Sequence, residues 1–293
     1  MKKIFLALAL LVSMACQAQK QLEILHTNDT HSCIMPLNVN LADTSKAGRG
    51  GFVRRVAMIK QERERNPQLL LIDSGDFSQG SPYYSLFKGE VEIGLMNCMQ
   101  YDAVTIGNHE FDFGLDNMAR LFRMAQFPIV CSNYDFTDTP VEGLVKKYVV
   151  LERNGLKIGI FGLCPELKGL VDMNKCKGVR YLDPVEVGNV MAELLKEKEK
   201  KAREALIASI QVGSVLKGTV ETLQNYGAFV KLENGLSGLV HVSQISQKRV
   251  KLPSDVLEVG QEVEVKVIGI KDGKISLSMK ALEEKEFTAA AGG

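Results

Sequence analysis

The feature that most limits the fold is a change of period near residue 210. Before it, short apolar runs alternate with stretches of helical spacing. Leu22–His26 reads as a strand, and Gly51–Arg65 as a helix with Phe52, Val56 and Ile59 on one face. Leu69–Ile72 is a buried strand ending at Asp73. Val91–Met99 then reads as helix, Ala103–Ile106 as strand, Leu115–Ala125 as helix and Ile129–Cys131 as strand. Val145–Leu151 and Lys157–Leu163 read as strands paired around an Asn154-Gly155 turn. Pro184–Ala208 reads as one helix whose second half carries the Lys/Glu run Lys196–Lys201. After Ile210 the helical period is gone. Five β-rich segments follow: Val215–Leu223, Ala228–Leu232, Gly238–Val242, Glu262–Ile270 and Lys274–Met279. Alternating strands and helices make an α/β layered domain. Five short strands broken by Gly, Asn-Gly and Asp-Gly close into a small barrel, with an OB-fold as first candidate.

The two ends carry other signals. Lys2 and Lys3, an apolar run Ile4–Val12, and the small residues Ser13, Ala15 and Ala18 form the layout of a secretion signal over 1–18. The run is too short to span a bilayer, so no transmembrane segment is expected after its removal. Cleavage after Ala18 releases a soluble protein; cleavage before Cys16 leaves a lipid anchor at that cysteine. Export is expected either way. The cysteines show no CxxC pairing, which excludes a zinc knuckle. Export permits disulfides, but Cys131 inside an apolar strand reads as a core residue, and no specific bridge is expected. The formal net charge of +1 points to no polyanionic partner for the whole chain. The tail 283–293 is expected to be disordered.

Three loops in the first part each follow an expected strand. In Asp29-Thr30-His31, the carboxylate and imidazole sit at i and i+2, so both can grip one ion. In Gly75-Asp76, the two oxygens of Asp76 can bridge two cations. In Gly107-Asn108-His109-Glu110, Asn108 offers a carbonyl oxygen beside His109. Mixed oxygen and nitrogen donors suit zinc, manganese, iron or magnesium. Two such ions roughly 3.5–4 Å apart clamp a phosphate and activate water. His109 then stands where it can protonate a leaving group, with Asp112 orienting its ring. Each motif alone is common; the three in this order at strand ends are far more specific.

The stretch Ile24–His31, with Asp73-Ser74-Gly75-Asp76 and Gly107–Gly114, resembles the calcineurin-like metallophosphoesterase domain of secreted 5′-nucleotidases over about 20–198. The resemblance implies a helix-flanked β-sandwich and a nucleotide or other phosphomonoester substrate. It implies two divalent metal ions held by Asp29, His31, Asp76 and Asn108, with a catalytic pair His109 and Asp112. His26 has no ligand role in that pattern. The family completes its site with Ser-His and Gly-His-x-His motifs. Here only His241 follows His109, and it matches neither. The sandwich and its site are therefore expected to be incomplete, and hydrolysis weak or absent.

In the second part, Asn225-Tyr226-Gly227-Ala228-Phe229-Val230, Gly238–Ser243 and Asp272–Ser278 carry a different pattern. Together they resemble the S1 RNA-binding domain of ribosomal protein S1 over about 211–282. The resemblance fits the residues: Tyr226 and Phe229 offer flat faces on which single-stranded bases stack, and His241 can stack or hydrogen-bond. Lys248, Arg249 and Lys274 can meet phosphates or sugars. The expected partner is single-stranded RNA with little sequence preference.

A signal sequence exports the chain, whereas an RNA-binding module of ribosomal type belongs in the cytosol. The expectation is thus a fusion of two gene fragments, natural or artefactual, joined within a charged helical linker at 199–210. The alternatives are an RNA-binding protein whose only working module is the barrel, or a chimera without integrated function.

Overall fold

The computed structural model describes residues 21–283. The expected signal over 1–18, including Cys16, and tail residues 284–293 lie outside the described residues. The chain divides between Leu195 and Lys196 into two compact units.

In the first unit, strands β1 (Ile24–Thr27), β2 (Leu70–Asp73), β3 (Ala103–Val104), β4 (Ile129–Val130) and β6 (Val145–Lys146) form one sheet in the order β1-β2-β3-β4-β6. Every pairing is parallel. A parallel pair requires a crossover connection, supplied for the pairs from β1 to β4 by α1 (Phe52–Arg65), α2 (Pro82–Phe87), α3 (Glu90–Met99) and α4 (Gly114–Met124), and for β4 with β6 by a non-helical segment. Apolar faces of these helices meet the sheet: Phe52 and Ile59 of α1, Ile93 and Met96 of α3, and Met118 and Leu121 of α4 join Leu71, Val104 and Ile129 in one core. The inner strands β2, β3 and β4 lack polar alternation because both their faces are covered, whereas edge strand β1 exposes Ile24 and His26.

One departure from the expected elements has a local cause. Val145–Leu151 is split at Lys147. Val145–Lys146 pairs with β4, and the chain then starts a hairpin of β7 (Tyr148–Arg153) and β8 (Leu156–Phe161). The Lys147 ammonium donates to the carbonyls of Ser132 and Tyr134, which fixes the break. The hairpin turns at Asn154 and Gly155, both at positive φ, as a two-residue turn of this type requires. Helix α2 and the pair β5 (Tyr134–Asp135) with β9 (Arg180–Tyr181) were not anticipated. The last helix, α5 (Pro184–Ala208), has no fully buried residue. Its Leu195 rests on the hairpin at Gly159, where a Cβ would fall 2.8 Å from that leucine.

The second unit is a closed barrel of β10 (Val215–Gln224), β11 (Gly227–Leu232), β12 (Ser237–His241), β13 (Glu262–Lys271) and β14 (Lys274–Ser278) in the order β10-β11-β12-β14-β13. All pairings are antiparallel except β12 with β14. Val220, Val230, Val240, Val265, Val267 and Leu277 fill the interior. Leu206, Ile207 and Ile210 pack against this core, so the end of the charged helix is part of the barrel unit. Together the units make the expected fold class, an α/β domain followed by an OB-like barrel.

Candidate metal centre and nucleic-acid interface

Loops following parallel strands gather at the carboxyl edge of the sheet, where sites in open α/β sheets form. The loops after β1, β2 and β3 do so here and are tied together. The amides of Asp29, His31 and Ser32 each donate over 3.0 Å to the carbonyls of Gly75, Asp76 and Phe77. This zipper needs left-handed backbone at Asp29 (φ 49°), His31 (φ 40°), Ser32 (φ 47°) and Asp76 (φ 54°). Such conformations are costly for non-glycine residues, persist only where surroundings enforce them, and concentrate at functional sites. Two glycines permit the closest approach. A Cβ on Gly75 would lie 2.4 Å from the Gly107 nitrogen, and one on Gly107 would lie 2.0 Å from Oδ1 of Asp76.

The third loop is anchored by Glu110, which is 3% exposed. Its Oε2 accepts from the amides of Gly107 (2.7 Å) and Asp76 (3.0 Å), and its Oε1 from the Ser78 hydroxyl (2.9 Å). Burial pushes this carboxyl up to about 8, with the Asp76 charge adding to the shift and the amide donors opposing it. Asp73 plays a similar part below β2: it accepts from the Thr27 hydroxyl (2.5 Å) and the Gly75 amide (2.8 Å). Burial pushes Asp73 up to about 6 against these donors. Neither residue was singled out from sequence. An acid directly before buried Phe111, inside a Gly-Asn-His loop, was the signal available for Glu110.

Within this frame His31, Asp76 and His109 bring ligand-type atoms within 4.8 Å of one another. The Nε2 of His31 is buried and has no hydrogen-bond partner. It faces Asp29 Oδ1 at 3.6 Å and Asp76 Oδ2 at 3.9 Å, too far for hydrogen bonds. An orphaned ring nitrogen aimed at two carboxylates is costly alone and suits a shared cation. The other Asp76 oxygen accepts from the His109 amide at 2.9 Å. His109 sets its Nδ1 against Asp112 Oδ2 at 3.1 Å, which directs Nε2 away from that carboxylate. Its ring stands edge-on to His31, with centroids 5.3 Å apart. The Tyr84 hydroxyl donates to the His109 carbonyl, and the Lys175 ammonium donates to that of Asp112. Asn108 immediately precedes His109 and is half-exposed. His26 is exposed on β1. The donor set thus fits divalent cations, and the loops bring together Asp29, His31, Asp76, His109 and Asp112.

On the barrel, strand parity decides which side chains share a face. Phe229 lies opposite Leu239, and Gly227 opposite His241. Leu239 in turn lies opposite Ser276. Val230, Val240 and Leu277 point inward, so Phe229, His241 and Lys274 lie on outward positions. Tyr226 is 51% exposed in the turn before β11, its ring edge-on to Phe229 with centroids 6.4 Å apart. His241 Nδ1 meets the Ser243 hydroxyl at 2.9 Å. Lys274 sits two residues before Ser276, toward the other end of the same face. Lys248 and Arg249 lie exposed in the loop after β12.

A sheet edge carrying Asp-x-His, Gly-Asp and Asn-His loops defines a phosphoesterase-type α/β domain. The profile of the calcineurin-like phosphoesterases matches residues 22–217, more than half of the chain, and the chain belongs to that family. The S1 RNA-binding domain profile matches residues 209–280. Among particular relatives, the chain is 35% identical to the 5′-nucleotidase of Homo sapiens over 148 residues, covering 48% of this chain and 26% of that one. It is 32% identical to Protein 5NUC of Lutzomyia longipalpis over 205 residues, 66% of this chain and 35% of the other. The barrel region is 59% identical to the small ribosomal subunit protein bS1 of Leuconostoc lactis over 78 residues, 26% of this chain and 18% of that one. A solved structure of the 5′-nucleotidase precursor from Thermus thermophilus superposes with a TM-score of 0.55 at 32% identity, over 60% of this chain and 35% of its own. The chain therefore spans only about a third or less of the length of these nucleotidase relatives.

Proposed function

We propose that the first unit carries a divalent-metal site of phosphoester-hydrolase type, acting on nucleotide phosphomonoesters. The observation that carries this reading is the orphaned Nε2 of His31 facing Asp29 and Asp76. Asp29, His31, Asp76 and Asn108 are the assigned metal ligands. Two ions of zinc, manganese, iron or magnesium would supply charge neutralisation at the phosphoryl group and a nucleophile at neutral pH. His109 holds its proton at Nε2 for the leaving oxygen, while Asp112 fixes the ring through Nδ1. Glu110 and the two glycines keep the loops in register. The substrate class comes from the 5′-nucleotidase relatives. Of the four histidines in the sequence, only His241 follows His109, and it lies on the barrel. The donor set is therefore short, and we infer weak or no turnover. The test is AMP hydrolysis with manganese or zinc, alongside Asp76→Ala. Low turnover that vanishes in the variant supports the reading. Turnover unchanged by Asp76→Ala sinks it.

A second reading rests on the Tyr226–Phe229 pair beside His241. We assign this face to single-stranded RNA, with Lys274 and the Lys248–Arg249 loop supplying charge. Fluorescence anisotropy with a labelled oligouridine tests it, and equal affinity in a Tyr226→Ala/Phe229→Ala variant counts against it. The two readings call for different compartments, the first favouring export with a soluble or Cys16-anchored product. Among the described residues no helix is long and apolar enough to cross a membrane. We accordingly read the chain as a fusion joined within 199–210. An uninterrupted native transcript across that boundary would establish a natural chain, and two separate genes an artefact.

A further inference from the structure

Cys131 and Cys164 meet in the interior of the first unit. Their Sγ atoms are 3.3 Å apart although the residues are 33 positions apart in sequence. Both are buried, at 0% and 3% exposure. The backbone imposes this approach. The Ser132 amide donates to the Gly162 carbonyl at 2.8 Å. Buried Asn133 clamps Cys164 from both sides: its Oδ1 accepts from the Cys164 amide and its Nδ2 donates to the Cys164 carbonyl, each at 2.8 Å. At Gly162 a Cβ would lie 2.2 Å from the Val130 carbonyl oxygen and 2.3 Å from Oγ1 of Thr105. Only glycine lets the two segments come this close.

The remaining described cysteines have other surroundings. Cys33 lies against the Met35 carbonyl, Cys98 is exposed, and Cys176 lies against Met173 and the Asp172 carbonyl. A disulfide needs sulfurs about 2.05 Å apart, so closing the pair takes a shift of about 1.2 Å from the observed 3.3 Å.

We propose that Cys131 and Cys164 are joined by a disulfide in the exported protein. One thiolate attacks a small-molecule or protein disulfide and expels one of its sulfurs as a thiol. The second cysteine then displaces the other sulfur from the mixed disulfide. The pair loses two protons and two electrons, and the oxidant leaves as two thiols. Both sulfurs are buried in the folded chain, so a solution oxidant reaches them during folding or on opening. The bond ties the end of β4 in the parallel sheet to the end of β8 in the hairpin. Thr105 touches both sides, donating to the Val130 carbonyl at 2.7 Å and lying 3.4 Å from Cys164 Sγ. It leads directly into the Gly107–Glu110 loop, so the bridge braces that loop whether or not the site turns over substrate.

The experiment is refolding of the full chain in a glutathione redox buffer, denaturation without reductant, alkylation with N-ethylmaleimide and peptide mass spectrometry. The expected result is alkylated Cys16, Cys33, Cys98 and Cys176, with the Cys131 and Cys164 peptides cross-linked until reductant is added. Reductant should also lower the melting temperature of the first unit by about 10 °C. A Cys131→Ala/Cys164→Ala variant that folds should lose that response. Complete alkylation of Cys131 and Cys164 without reductant overturns the proposal, and so does a reductant response that persists in the double variant.

Discussion

Replacing Glu110 with alanine tests how the site loops are held. The change strands the amides of Asp76 and Gly107, bonded at 3.0 and 2.7 Å, and the Ser78 hydroxyl at 2.9 Å. The Ser78 amide, at 3.3 Å, loses a weaker bond. Glu110 and Ser78 are 3% and 1% exposed, so water does not readily replace the carboxylate. A buried donor left without an acceptor costs about 1–3 kcal/mol. Two strong amide bonds and a rotatable hydroxyl therefore cost about 3–6 kcal/mol. Removing a carboxyl that burial pushes up to about 8 offsets part of this, leaving about 2–4 kcal/mol. Urea unfolding can be followed by far-ultraviolet circular dichroism and tyrosine emission, since the chain has no tryptophan. The transition of the first unit should fall by about 1–2 M urea while that of the barrel stays fixed. Glu110→Gln keeps one acceptor oxygen and should fall between wild type and alanine. A shift of the first transition below about 0.3 M would refute the idea that Glu110 pins the loops.

Other outcomes follow from the same geometry. Asp73→Asn should change the pH dependence of stability. A carboxyl raised in the folded state contributes stability that is full below its ordinary 3.8 and is lost as pH rises through about 6, a span of about 3 kcal/mol. In metal-free buffer the variant should therefore show a flatter stability profile between about pH 4 and 6; a slope equal to wild type counts against burial as the cause. Gly107→Ala places a methyl 2.0 Å from an Asp76 oxygen and should weaken manganese binding at least tenfold, read by calorimetry, with barrel unfolding unchanged. Tyr226→Ala should weaken oligouridine binding by about five- to a hundredfold, the range for one lost stacking platform, without lowering barrel stability.

Much of this architecture was legible because its signals are local. Leu69–Ile72 is a four-residue apolar run closed by Asp73 and Gly75, and its shortness and the turn signal behind it favour a covered strand over a helix. The Asn154-Gly155 hairpin and the barrel strands likewise carry their own punctuation. What escaped was non-local or short. The β5–β9 pair joins two-residue segments held by Tyr134–Tyr181 and Asp135–Arg180 register, which no window of sequence contains. Helix α2 has only six residues, although its Ser81 cap, accepting from the Tyr84 amide, and Pro82 at the first turn are start signals. At the site, the His109–Asp112 contact was readable from its i, i+3 spacing, whereas Asp29 and His31 take left-handed backbone instead of the extended one that i, i+2 alternation needs, and the loop-to-loop amide bonds set their approach to Asp76. The part of Glu110 was not readable, since apart from the local Gly107 amide its partners, the Asp76 and Ser78 amides and the Ser78 hydroxyl, come from a loop more than thirty residues earlier. For the barrel, the S1 resemblance named Phe229, His241 and Lys274, and the strand register is what puts them on one outward face, whereas the loop position of Lys248 and Arg249 follows no period.

The divalent-cation site proposed for the loops after β1, β2 and β3 centres on the unpartnered Nε2 of His31. Isothermal titration of the chelator-stripped full chain with manganese measures it most directly, alongside His31→Ala and Asp76→Ala. Saturable binding in the wild type, weakened at least tenfold in both variants, is the predicted result. Binding that is indistinguishable among the three proteins, or absent from the wild type at millimolar metal, would contradict it.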